Sequence, residues 1–263
     1  MQENKKFKLV TSKKTRYLLP NILTLAGVCL GISSIKFSID GNFFLAVILI
    51  LFAAILDALD GRIARLIKGT SEFGKELDSL TDFVSFGIAP VFILYFWELN
   101  NYGKLGWAIT LIYSVCCVLR LARFNLTKIE GTNEWKNNFF EGIPSPAGGL
   151  LILMPLIYEL TNLDIGFDIK NLTPYFTIVI AILLVSKIPT LALKKISISP
   201  KATIFLLLGI GISFIALLFY TLETLLIFGI LYLISIPLSI ILYNNQNKKN
   251  TEKISDDNHE DIL

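Results

Sequence analysis

Residues 57–82 read DALDGRIARLIKGTSEFGKELDSLTD, and the chain is oily on either side: FFLAVILILFAAIL (43–56) before, FVSFGIAPVFILYF (83–96) after. Four aspartates, Asp57, Asp60, Asp78 and Asp82, stand where these apolar runs end. A charge at the edge of a hydrocarbon layer is costly, and chains that keep one there generally use it. The stretch therefore predicts a membrane protein with a purpose for its acids.

The surrounding chain agrees. Of 263 residues, 54% are hydrophobic and only 17% charged, against about 25% charged in soluble domains. Eight apolar segments approach the roughly 20 residues a helix needs to cross a bilayer: 18–36, 43–61, 79–97, 105–124, 145–160, 174–190, 202–220 and 224–243. The predicted fold is all-α, a polytopic bundle of about eight transmembrane helices. Its expected division is a basic N-terminal segment (1–17), a membrane core (18–200), two further helices (201–243) and a disordered polar tail (244–263).

Lysine and arginine set the expected orientation. With a cytoplasmic N-terminus, only Lys36, Lys104 and Lys170 of the 24 basic residues fall in outer loops. Both termini, and the acidic stretch with them, are thus expected on the cytoplasmic side of the cell (inner) membrane. The formal charge of +3 reflects this bias, and no nucleic-acid partner is read into it. The first apolar run lacks a small-x-small cleavage site and reads as a retained helix. Cys29, Cys116 and Cys117 lie in apolar helices without C-x-x-C spacing, as small packing residues do.

Much chemistry is excluded. The single histidine, His259, lies in the tail, which removes Ser–His–Asp catalysis and histidine-ligated zinc from the membrane region. There is no G-x-x-x-x-G-K-[ST] loop for ATP. Carboxylates remain, and they suit hard cations such as Mg2+ or Mn2+.

At about 100° per residue, Asp57, Asp60, Gly61, Ala64 and Arg65 share one face of the second helix. Gly74, Asp78 and Asp82, at i, i+4 and i+8, share one face of the third. Gly69 suits the intervening turn, and Thr70 or Ser71 suits a helix N-cap. Four carboxylates facing each other would repel, and a pair of bound cations relieves that repulsion. Two metals about 4 Å apart are a known arrangement for phosphoryl chemistry. The plainer alternative, acids that cap helix ends or pair with Arg62, Arg65 and Lys75, leaves the small residues on the same faces unexplained.

The pattern D-x2-D-G-x2-A-R-x8-G-x3-D-x3-D resembles the signature of the CDP-alcohol phosphotransferase family, with no position missing: Asp57, Asp60, Gly61, Ala64, Arg65, Gly74, Asp78 and Asp82. The resemblance implies a six-helix core that binds two divalent cations, Mg2+ or Mn2+, and a CDP-linked lipid whose CMP leaves when an alcohol attacks. It implies Asp57, Asp60, Asp78 and Asp82 as metal ligands, with Asp82 also the general base. Gly61, Ala64, Arg65, Ser71, Gly74, Asn21 and Thr24 would hold the CDP-lipid.

PNILTLAG (20–27), SFGIAP (85–90), RLARFN (120–125), FEGIPSPAGG (140–149) and SKIPT (186–190) are similar to the membrane-embedded phosphatidylserine synthase branch. The acceptor this implies is L-serine, the donor CDP-diacylglycerol, and the assembly a homodimer within membrane lipid. Serine needs a cation for its carboxylate, and Arg120, Arg123 and Asn125 are the candidates, although both arginines also satisfy the charge bias. Pro144 and Pro146 read as a tied-down loop or re-entrant segment, and GVCLG (27–31) as a close helix contact inside the subunit or between subunits. The alternatives are another acceptor, such as glycerol 3-phosphate or inositol phosphate, and an ion-coupled transporter, whose site would more often lie at mid-bilayer between internal repeats.

Overall fold

The computed structural model describes residues 13–67, 71–127, 139–163, 166, 168–191 and 200–260. The basic segment up to residue 12, Gly69, Thr70 and Lys128 lie outside the described residues. Helices α1 (Lys13–Ile39) and α2 (Phe43–Leu66) form an antiparallel hairpin. Its turn needs the positive φ of Gly41, +78°, which glycine adopts without a Cβ clash. Asn42 closes the turn, its side-chain oxygen accepting from Leu45 N at 3.2 Å. On α2, Ala46, Val47, Ile50 and Ala53 recur at helical spacing and are buried.

Ser71 is the N-cap of α3 (Glu72–Asp82), its Oγ accepting from Gly74 N at 3.0 Å. The chain then passes through one π-helical stretch, Phe83–Ile88, into α4 (Ala89–Trp97). Pro90 gives a physical reason for the irregularity. It has no N–H to offer the carbonyl of Phe86, four residues back. The Tyr113 hydroxyl donates to Phe86 O instead, at 3.0 Å. Tyr113 lies on α5 (Lys104–Thr127) and is fully buried.

Then come α6 (Ser145–Ile152), α7 (Met154–Leu160), α8 (Ile169–Val185), α9 (Pro200–Phe219) and α10 (Thr221–Glu260). Two three-residue strands, β1 (Phe139–Glu141) and β2 (Pro189–Leu191), pair antiparallel with Phe140 opposite Thr190. The core gathers Ile50, Phe86, Ile93, Tyr113, Ile152 and Ile180 from six segments. Outside it, α9 presents Phe205, Leu208, Ile212 and Ile215 uncovered, as a lipid-facing helix does.

Among the described residues, five of the eight expected segments are helices long and apolar enough to cross a membrane: Leu18–Ile39, Phe43–Leu66, Glu72–Trp97, Lys104–Leu126 and Thr221–Asn244. The segment expected at 145–160 is two short helices instead. Pro155 sits in the first turn of α7, where its missing N–H is tolerated at a helix start but interrupts a continuous ladder. The helix expected at 174–190 runs from Ile169, capped by Asp168, to Val185. The tail expected to be disordered continues α10 as helix to Glu260; no glycine or proline after Pro237 stops it. The small ribbon is the one departure from an all-α chain among the described residues.

The GVCLG contact is used inside the subunit. A Cβ on Gly31 would come within 3.0 Å of Ser85 Cα, and Ser85 Oγ donates to Gly27 O at 3.2 Å. These contacts lock α1 against the π-helical stretch that follows Asp82.

Candidate active site

The last turns of α2 bring Asp57 and Asp60 to face Asp78 on α3. Asp57, Asp60 and Asp78 each offer a carboxylate oxygen, all within 4.8 Å of one another. Asp82, one turn further along α3, makes a side-chain contact with Asp57. The four aspartates picked out by spacing thus meet in space. Asp60 is 4% exposed, and Thr24 Oγ1 donates to its Oδ2 at 2.6 Å, which ties α1 to the acids.

Asp82 Oδ1 is buried and has no hydrogen-bond partner among the described residues. A buried polar oxygen is nearly always paired. An orphan next to a triad of acids is what a site shaped for a cation or a substrate proton looks like. The donor set is all carboxylate oxygen, which suits Mg2+ or Mn2+. The residues present therefore fit a hard divalent cation.

Around the acids stand the positions expected to touch the nucleotide. Asn21, Ser71 and Gly74 converge: a Cβ on Gly74 would lie 3.1 Å from Ser71 Oγ and 3.2 Å from Asn21 Oδ1. Gly61 is different, because a Cβ there would meet nothing within 4 Å among the described residues. Packing does not require glycine at 61, whereas close approach by a ligand would. Ala64 is half-buried and Arg65 exposed on the same end of α2.

The three residues expected to bind the acceptor separate. Arg120, on α5, is 8% exposed and donates from Nη1 to Ser145 Oγ at 2.7 Å, with its guanidinium 5.1 Å from the centre of the Phe124 ring. It lies within electrostatic reach of Asp82 and Asp57. Arg123 instead donates to Val185 O at 2.6 Å, neutralising the last carbonyls of α8. Asn125 Nδ2 donates to Ser79 Oγ at 3.0 Å, bracing α5 against α3. Arg120 is within electrostatic reach of the acids, and Asn125 bonds Ser79, next to Asp78.

Several participants escaped the sequence reading. Ser145 opens α6 from within FEGIPSPAGG. That loop is tied down as expected: Gly142 N donates to Ile188 O at 2.8 Å and Thr190 Oγ1 to Gly142 O at 2.8 Å. A Cβ on Gly142 would press within 2.8 Å of the Leu184 and Ser186 carbonyl oxygens. The π-helical stretch was missed too, although Pro90 inside an apolar span is a signal for it. Tyr232, on α10, carried no signal at all.

Fold and site together define a membrane-embedded helical protein with a carboxylate centre suited to divalent cations. A family model described as CDP-alcohol phosphatidyltransferase matches residues 17–186, and the chain belongs to that family. Similar curated proteins include one from Mycobacterium tuberculosis, 34% identical over 85% of this chain and 78% of its own length. Another, from Helicobacter pylori, is 35% identical over 83% of this chain and 89% of its own. A third, from Mycobacterium leprae, is 37% identical over 85% and 74%. All three are named CDP-diacylglycerol–serine O-phosphatidyltransferase.

Proposed function

We propose that this chain transfers the phosphatidyl group of CDP-diacylglycerol to the hydroxyl of L-serine, releasing CMP and forming phosphatidylserine in phospholipid biosynthesis. The observation that carries the reading is the convergence of Asp57, Asp60 and Asp78 oxygens beside an unpartnered Asp82 oxygen. The names of the similar proteins point to serine as the acceptor.

Asp57, Asp60, Asp78 and Asp82 would hold two divalent cations, Mg2+ or Mn2+. When bound, these supply positive charge that offsets the diphosphate and makes its phosphorus electrophilic. Asn21, Thr24, Gly61, Ala64, Arg65, Ser71 and Gly74, on α1, α2 and the start of α3, would receive the cytidine and diphosphate, with Arg65 offering fixed donors to phosphate oxygens. Arg120 draws the serine carboxylate and so aims the hydroxyl at the lipid-side phosphorus.

Asp82 accepts the hydroxyl proton as the serine oxygen bonds to that phosphorus. The bond from phosphorus to the bridging oxygen breaks, and CMP departs with the electron pair. A hydroxyl with a pKa far above 7 needs such an acceptor close by. Arg123 and Asn125, held by Val185 and Ser79, hold the helices that carry the site.

The charge bias of the loops supports a site facing the cytoplasm, at the inner membrane. A homodimer remains our expectation, though Gly27 and Gly31 pack within the subunit. The test is CMP release by the purified protein with CDP-diacylglycerol and serine, glycerol 3-phosphate or inositol phosphate, each with and without chelator. Chelator-sensitive release with serine supports the reading. Release only with a phosphorylated acceptor reassigns the substrate.

A further inference from the structure

The last helix contributes one polar atom to the interior that the mechanism above does not use. Tyr232, on α10, buries its hydroxyl, and that hydroxyl has no hydrogen-bond partner among the described residues. Thr190 lies close to the phenol, but its own proton goes to Gly142 O. A structural tyrosine placed in a protein interior normally finds a partner for its O–H. Among the described residues this hydroxyl has no hydrogen-bond partner of good geometry.

Its setting indicates what the donor is for. Arg120 lies within electrostatic reach of Tyr232 and of Asp82 and Asp57. Arg120 and Ser145 are already joined at 2.7 Å, and both are buried. A buried cation whose direct partner is a neutral hydroxyl retains donors for an anion. An incoming carboxylate that sat on Arg120 would need a second donor to complete its shell in so dry a place.

We infer that Tyr232 is an acceptor-specificity residue: its phenol donates to the carboxylate of an amino-acid acceptor seated on Arg120, so that α10 closes the acceptor pocket. The inference rests on the reading that the acceptor is serine. It gives the last helix, which lies beyond the family match ending at residue 186, a part in choosing the substrate. An alcohol without a carboxylate gains nothing from this donor.

The test is Tyr232→Phe in the full-length protein, measured as CMP release in detergent at saturating CDP-diacylglycerol. The serine KM is expected to rise roughly tenfold or more, the size of one lost hydrogen bond to a charged group. The CDP-diacylglycerol KM and the rate at saturating serine should stay within about twofold. With serine methyl ester, which lacks the carboxylate, wild type and variant should respond alike.

An unchanged serine KM overturns the inference while leaving serine as acceptor. A variant that cannot be purified, or that loses both substrates equally, makes the hydroxyl structural and overturns it as well. Wild-type protein that releases no CMP with serine overturns the underlying reading instead.

Discussion

Two polar clusters lie near each other inside this oily chain, and they are built on opposite plans. One is all anion: Asp57, Asp60, Asp78 and Asp82, drawn from two consecutive helices. The other has a single cation, Arg120, with hydroxyls from Ser145, Thr190 and Tyr232, drawn from segments up to 112 residues away in sequence. The first concentrates like charge, which is tolerable only if countercharge enters with the cations and substrate. Among the described residues the second adds hydroxyls around Arg120 and no further acid, which suits a small anionic group. On the proposed reading, concentrated charge serves the transfer step and dispersed donors serve the choice of acceptor.

That contrast is open to attack at several points. The largest effect is expected from Asp82→Asn, which should lower turnover by about 10^2- to 10^4-fold, the usual contribution of a general base. CDP-diacylglycerol binding, followed by equilibrium dialysis, should survive. Full activity in that variant would remove Asp82 from the chemistry.

Asp57→Asn should weaken divalent-cation binding by more than the 10- to 100-fold typical of an outer partner. The loss should appear in calorimetric Mn2+ titration and should not depend on which acceptor is supplied. Acceptor-dependent damage would blur the division between the pockets.

Arg120→Lys should raise the serine KM by about tenfold, since an ammonium cannot reproduce the guanidinium fork. The CDP-diacylglycerol KM should hardly move. The mirror-image result would place Arg120 with the donor lipid.

Gly61→Ala makes a gentler probe. With no atom of the described residues within 4 Å outside its own helix turn, the variant should fold with unchanged thermal stability yet bind CDP-diacylglycerol several-fold more weakly. Normal binding would mean that the glycine faces no ligand. Smallest of all, Arg123→Ala should lower stability by about 1 kcal/mol, one hydrogen bond's worth, seen as a small drop in unfolding temperature at unchanged serine KM. A large KM effect would return Arg123 to the acceptor pocket.

The acidic pocket was legible in the sequence because its spacing is local. Asp57 and Asp60 fall on one face of one helix, Asp78 and Asp82 on one face of the next, and a short turn makes those helices neighbours. The proposed acceptor site was legible only in part. Arg120, Arg123 and Asn125 look equivalent in RLARFN, but successive helix positions diverge by about 100°, and only packing reveals that Arg123 meets Val185 while Arg120 meets Ser145. Proline effects were intermediate: Pro155 broke a predicted span and Pro90 accompanies the π-helical stretch, each through a missing N–H readable from composition but not from periodicity.

Composition and helical period by themselves determined that this chain lives in a membrane, that its acids share a site, and that the site suits divalent cations. Those properties depend on hydrophobicity and on contacts between neighbouring helices. Tertiary structure alone decided that Arg120 comes near the acids, that Tyr113 takes the Phe86 carbonyl Pro90 cannot bond, and that α10 brings the Tyr232 phenol into electrostatic reach of Arg120. Such contacts join residues far apart in the chain, and no local spacing carries the information about which distant side chain will fill a given gap.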